Sequence, residues 1–359
     1  MSKKQFFISL VIIGLTVICN ATVWRLNNIP GVDADFITNL QDAVDGVTSG
    51  DTIYVEQSPF SYDGATISKQ VILIGGGYWL TENDSTQASE EESEIGGLVF
   101  NPGSEGSIVS GFAIYHELTL FMITINTDNI IIERCFLYFG AKDYDNIAPI
   151  MYINGNLNNI TIRQNWMYYY NVSGAGVCIY FNGDSQNVLI KNNFISSNTS
   201  NLSGGSIRME IGSTVNSPQI SNNIIEGEIH TFNCVYVNNI LLGGNFYNGS
   251  GGIIANNLCN GTQFPDTDNN QQNVDMATVF VDHDLYIDNG YILAPGSPAI
   301  GAGFNGGDCG MFSNDYGGVP YVLSGLPAIP AIYEIDFNST IFPSDENTLE
   351  VNVKAKSHN

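Results

Sequence analysis

The sequence predicts an all-β solenoid, a stack of short strands laid coil upon coil. Three observations predict it. A five-residue pattern recurs: an apolar residue, a polar one, an Asn pair and a large apolar residue. It reads Ile190-Lys191-Asn192-Asn193-Phe194, then Ile220 to Ile224, Tyr236 to Ile240 and Ile254 to Leu258. Looser copies run from Ile162 to Trp166, Ile132 to Phe136 and Ile108 to Phe112. Their last residues fall at 112, 136, 166, 194, 224, 240 and 258, in steps of 24, 30, 28, 30, 16 and 18. Recurrence at this scale on strand-forming residues marks a stacked repeat rather than a layered globular fold.

The second observation is alternation. A strand with one apolar side hides it only when the next coil packs alongside. The third is the Asn pair itself. Asn tolerates the left-handed backbone that a sharp corner needs. An Asn at one corner in successive coils also bonds the amides above and below, satisfying groups that would be buried unpaired. Asn165, Asn193, Asn223, Asn239 and Asn257 are the expected rungs of that ladder. The two short steps leave open whether every copy sits at the same corner.

In chain order, residues 1–21 read as a secretory leader. Lys3 and Lys4 form its basic start, Phe6 to Ile18 its apolar core and Cys19-Asn20-Ala21 its cleavage site, with the cut expected before Thr22. The apolar run is shorter than the ~20 residues a spanning helix needs. No later stretch is apolar enough to span, so no transmembrane segment is expected after cleavage. Asp35 to Val47 reads as a cap helix, with Phe36, Leu40, Ala43, Val44 and Val47 on one face and Gly50 just beyond. Such a helix covers the open end of a stack. Thr52 to Val55 and Val71 to Ile74 are the next strands, and Thr81 to Glu94 an acidic solvated loop. Coils run from about Gly97 to Asn260. Their excursions, such as Asn198 to Gly205 and Asn245 to Gly252, gather on one face in solenoids. Beyond Phe264 the texture changes to Asp, Asn and Gln. From Pro327 the chain changes again, with strands expected over Ile332 to Phe337 and Leu349 to Lys354, too few for a separate sandwich. The expected division is therefore leader 1–21, β-helix 22–326 and a C-terminal β hairpin or appendage at 327–359.

Composition narrows the partners. The net charge is −25, deeper by two once Lys3 and Lys4 are gone. That balance argues against nucleic acid and for solubility and cation binding. Five cysteines follow the leader, with no Cys-x-x-Cys pair, so neither a zinc site nor a full disulfide framework is indicated. Cys135 takes the corner Asn's place in its copy and reads as a buried thiol.

These residues resemble the right-handed parallel β-helix proteins of the pectin-lyase-like superfamily, in their secreted bacterial repeat branch. The resemblance covers most of the chain after the leader. It rests on Gly50-Asp51-Thr52-Ile53-Tyr54-Val55 after a cap helix, on Ser107 to Ile114, and on the Asn-Asn corners. It is completed by the closing Ser297-Pro298-Ala299-Ile300-Gly301-Ala302-Gly303 with Asp308-Cys309-Gly310. It implies a single right-handed parallel β-helix and a secreted, extracellular or cell-surface setting. It implies no reaction, because the superfamily holds lyases, hydrolases, epimerases and adhesins.

Uronate lyases of that superfamily need a Lys or Arg base and a positive charge, often Ca²⁺, on the substrate carboxylate. Arg163 and Lys191 share one repeat position, with Glu133 below and Ser221 above; together with Arg208 they form the candidate substrate-binding set. The bland alternative is an exposed column of paired charges. Hydrolases need clustered carboxylates. Asp184, Glu210, Glu226 and Glu228 are the available ones, but none sits in a recognisable motif, and no catalytic residue is assigned. Asp266-x-Asp268-x-Asn270 spaces oxygens as a Ca²⁺ loop does, against the alternative of an Asx-rich turn. Ca²⁺ is the one cofactor suggested. The leading expectation is a non-enzymatic, monomeric surface protein that contacts glycans or adheres. The rivals are a Ca²⁺-dependent polysaccharide (uronate) lyase and a purely structural surface protein.

Overall fold

A computed structural model describes residues 21–36, 39–116, 122–141, 149–171, 176–199, 205–210, 218–249, 251–337 and 350–357. The leader expected over 1–21 lies almost wholly outside these residues.

Alternating burial makes the strands, and register makes the stack. Ile132, Ile162, Ile190, Ile220, Tyr236 and Ile254 sit on one another through successive parallel pairings. All but Ile254 are fully buried, so a column of apolar side chains fills the bore. The chain visits three parallel sheets in turn, of ten, eight and eight strands. The first runs from Val23–Leu26 to Ile253–Ala255, the second from Glu94–Ile95 to Leu258–Cys259, and the third from Ala65–Ile67 to Phe246–Gly249. This is a parallel β-helix. Among the described residues no helix is long and apolar enough to cross a membrane.

The cap helix α1 spans Leu40–Gly46, shorter than the 35–47 expected. Asn39 caps it by accepting from the Asp42 amide at 2.8 Å, and Leu40, Ala43 and Val44 are buried. Asp51, next to it, accepts from the Thr22 and Thr48 amides and the Trp24 indole. Those amides hold its carboxyl below the ordinary range and pin the first coil to the helix exit.

At the corner between the first and second sheets, the two asparagines divide the work. The first carries the turn: Arg134, Gln164, Asn192, Asn222, Asn238 and Asn256 all have φ between 53° and 60°. The second is buried and makes the ladder. Asn165 Nδ2 donates to Asn193 Oδ1 at 3.1 Å, Asn193 to Asn223 at 3.0 Å and Asn223 to Asn239 at 2.9 Å. Asn239 donates to Asn257 at 3.1 Å, and Asn257 to Asn270 at 2.9 Å. Each acceptor oxygen also takes the backbone N–H of the preceding rung. The short steps keep the same corner, since the ladder runs unbroken across the coils of 16 and 18 residues, and the excursion expected over Asn245 to Gly252 holds instead the third-sheet strand Phe246–Gly249. Cys135 occupies the rung place below Asn165, its N–H bonded to Asn165 Oδ1. All five described cysteines are free and buried, and burial raises the Cys135 thiol to about 12.

One sequence copy is corrected by a residue. Ile132 pairs with Val109, not Ile108, so Phe112 takes the rung place and Ala113 the place of Phe136. The large apolar residue that ends each copy also points out of the bore, not into it. Ala113, Phe136, Trp166, Phe194, Ile224, Ile240 and Leu258 form a second buried cluster with Val279, Phe280, Tyr291, Met311 and Tyr321. The C-terminal part of the chain supplies that cover. Residues 302–326 then run back along the stack as a strap, held by the first corner residues. Asn256 donates to Ala302 O, Asn222 to Asp315 O, and Asn192 to Met311 O and Ser313 O. Arg134 reaches Leu326 O at 2.8 Å. Gly325, at φ +55°, lets the strap close over Tyr78, where a Cβ would come within 2.2 Å of the ring. Past the strap, Pro330–Phe337 and Val351–Ser357 form an antiparallel hairpin.

Candidate functional site

Register places the sequence-derived candidates apart. Glu133, Arg163, Lys191 and Ser221 do stack in one column of the first sheet. Arg163 is committed there to an ion pair, its Nε 2.6 Å from Glu133 Oε2. Lys191 Nζ donates to Gly317 O at 2.7 Å and so holds the strap. Burial and then the Arg163 charge push its pKa down. Arg208 lies on the third sheet, in register between Tyr180 and His230. Arg208 thus belongs to a different sheet from Arg163 and Lys191. The carboxylates are dispersed too: Asp184 follows the third sheet, Glu210 ends a strand within it, and Glu226 faces out from the second. Glu228 is bound by His230 at 3.0 Å and Asn245 at 2.8 Å.

The suggested Ca²⁺ loop meets a direct obstacle. Both lone pairs of Asn270 Oδ1 are taken by the Asn257 N–H groups, and its Nδ2 donates to Ile254 O and Thr267 O. Asn270 is thus the top rung of the ladder, which leaves Asp266 and Asp268 as two exposed carboxylates. Among the described residues no group of three or more His, Cys, Asp or Glu could hold a metal ion. The residues present do not fit a Ca²⁺ site.

A different surface gathers aromatic and polar side chains: the outer face of the second sheet, beside the cover. Tyr115, Tyr138, Tyr168, Ser196 and Glu226 are in direct register, one per coil. Strand spacing of about 4.8 Å makes that strip about 19 Å long. All five backbones are fixed by the stack, so the side chains stand in line without loop adjustment. Tyr168 is the hub. Its ring lies 5.8 Å from Tyr138, nearly parallel, and 6.4 Å from Tyr170 on its own strand. Tyr286 closes the side at 5.8 Å, tilted by 49°. Tyr286 comes from the turn after His283–Leu285, is 44% exposed and sits at φ +50°. A bulky residue held in the left-handed region is an outlier that needs support from its surroundings.

Carboxylates mark both ends. Glu92 Oε2 accepts from the Tyr115 hydroxyl at 3.0 Å, and Glu226 Oε2 from Ser196 Oγ at 2.7 Å. Burial and then the Glu92 charge push the Tyr115 hydroxyl well up; burial and then Glu226 do the same for Tyr286. Both remain protonated at physiological pH, and the one hydroxyl proton of Tyr115 is given to Glu92. The strip therefore combines half-buried tyrosine rings with a carboxylate at each end, while Ser196 itself is fully buried. Sequence reading missed it because Tyr115, Tyr138 and Tyr168 sit three residues past the rung position. The usable signal was an aromatic at that same offset in three consecutive copies.

No family model, no curated protein and no solved structure matches the chain.

Proposed function

We propose that this is a secreted or surface-exposed, non-enzymatic β-helix protein that binds neutral glycans along the tyrosine strip. One observation carries the reading: the in-register column Tyr115, Tyr138, Tyr168, Ser196 and Glu226, walled by Tyr286. Aromatic surface with a few placed polar groups is what a sugar chain needs, apolar faces for its C–H groups and partners for its hydroxyls. The nearby charges are Glu92, Glu226 and Asp284, on a chain of net charge −25, so a polyanionic uronate would be repelled. Glu92 and Glu226 lie at opposite ends of the strip, too far apart to flank one glycosidic bond. The leader-like residues 1–21 support an extracellular setting.

Calorimetric titration with neutral hexasaccharides of glucose, xylose and mannose, beside oligogalacturonate and alginate oligomers, tests this. At least one neutral oligomer should bind, and Tyr168→Ala should weaken it about tenfold, the equivalent of ~1.4 kcal/mol. No unsaturated uronate should form from pectate with Ca²⁺. Binding confined to uronates, or unchanged by Tyr168→Ala, would defeat the proposal.

A further inference from the structure

Asp51 is a buried carboxylate without a counter-ion. It is 3% exposed, and among the described residues no Lys, Arg or His pairs with it. Its partners are three neutral donors. The Trp24 indole and the Thr48 N–H share Oδ2, at 2.8 and 2.9 Å, while the Thr22 N–H alone takes Oδ1, at 2.8 Å. Of the groups that hold the carboxyl below the ordinary range, the Thr22 N–H has the largest effect. Neutral donors solvate a buried charge but do not balance it, and such a charge is costly until it is paired.

The Thr22 nitrogen is also where the sequence expects the leader to be cut. Ala21 and Thr22 are both exposed, so the bond between them is open to a peptidase. Immediately downstream the backbone is fixed. The Thr52 N–H donates to Thr22 O at 2.8 Å, and Val23 pairs with Thr52 in the outermost strand of the first sheet. Hydrolysis breaks the Ala21–Thr22 C–N bond. The water oxygen stays on Ala21 as part of its carboxylate, and the Thr22 nitrogen takes up protons as an α-ammonium. The nitrogen keeps its place and changes only its charge. An N⁺–H···O⁻ bond runs at about 2.7–2.9 Å, so the new cation meets Asp51 Oδ1 at the separation already present.

We propose that leader removal completes the fold, by creating an ion pair between the α-ammonium of Thr22 and the carboxylate of Asp51. The pair ties the first strand to the exit of the cap helix, which Asp51 holds through Thr48. It stabilises the mature chain over its precursor, because a hydrogen bond between two charged groups outweighs one from a neutral amide. The peptidase comes with the secreted setting proposed above, on which this step rests; the ligand of the tyrosine strip plays no part in it.

Thermal unfolding of matched chains tests the pair. One chain begins at Thr22 with a free amine. The other is the same chain acetylated at that nitrogen, which keeps the N–H and removes the charge, as the precursor peptide bond does. The free chain should melt above the acetylated one at neutral pH, and the difference should vanish when both carry Asp51→Asn. By nitrogen-15 NMR the free Thr22 amine should titrate above the ~8 of an ordinary chain end. The chain recovered outside cells should begin at Thr22. Equal melting temperatures for the free and acetylated chains, or a difference that survives Asp51→Asn, would overturn the proposal. So would an exported chain with a different first residue. Retention of the full chain inside cells would instead defeat the secreted setting, whereas the melting comparison, made on chains that start at Thr22, fails only with the ion pair.

Discussion

Asparagines are stacked in two quite different settings on this molecule. Asn165, Asn193, Asn223, Asn239, Asn257 and Asn270 form a ladder inside the corner between the first and second sheets, the first five with no exposure at all. Asn129, Asn159 and Asn187 form another on the surface, bonded at 2.7 and 3.1 Å. The chemistry of the bonds is the same. The difference is that water replaces a lost partner on the surface and cannot do so inside. The surface set also holds positive φ, at 60°, 60° and 52°, whereas the buried set does not. In the surface set each Asn also carries a turn of the backbone; in the buried set it serves only the hydrogen-bond account of its neighbours.

Removing one buried rung should give the largest loss. Asn223 Nδ2 donates to Ile190 O, Ser221 O and Asn239 Oδ1, and its Oδ1 takes two N–H groups from Asn193. Each buried group left unpaired costs about 1–3 kcal/mol, so Asn223→Ala should lower the urea midpoint by at least ~2 kcal/mol of stability. A loss below ~0.5 kcal/mol would break the contrast. Next comes the strap fastener Asn192, which binds Met311 O, Ser313 O and the Val319 N–H. Asn192→Gly keeps the turn but releases the strap, at about 1–2 kcal/mol, and should open residues 311–319 to limited proteolysis. Proteolysis at the wild-type rate would count against the strap.

Asp288 should give a smaller, pH-dependent effect. It is fully buried and accepts from Asn83 Nδ2 at 2.9 Å, the Ser324 N–H at 2.6 Å and the Tyr321 hydroxyl at 3.4 Å. Burial outweighs those donors and raises its carboxyl above the ordinary range. An acid with a raised folded pKa favours the folded state while protonated, so this contribution is full below the unfolded pKa. It declines as pH rises from the ordinary carboxylate range through the raised value. Asp288→Asn should flatten the melting temperature over that window, and an unchanged slope would contradict it. Asn159→Gly should show the smallest effect, within ~0.5 kcal/mol, because glycine accepts φ 60° and water takes the amide's place.

The stack, its corner and its rungs were legible because they depend on local repetition: the bore column and the Asn pairs recur in the sequence at the spacing of the coils. Which asparagine turns and which bonds was not, since both are the same residue one step apart. The strap was hidden for a different reason. Its fasteners reach backbone carbonyls 46 to 192 residues away, and a carbonyl leaves no mark on composition. The same blindness let Asn270 pass for a metal ligand, because spacing shows oxygens and not whether they are already bonded. Arg163, Lys191 and Arg208 looked like one set because repeat position fixes register only within a sheet, and Arg208 belongs to another.

A pair of double-mutant cycles measures the comparison directly, one on Asn193 and Asn223, the other on Asn159 and Asn187, with alanine at each position and stability read from urea unfolding. Partners in one buried network couple by about 0.5–3 kcal/mol. The buried pair should show a coupling near the upper half of that range, and the surface pair less than ~0.5 kcal/mol. Equal couplings in the two cycles, large or negligible, would contradict the account.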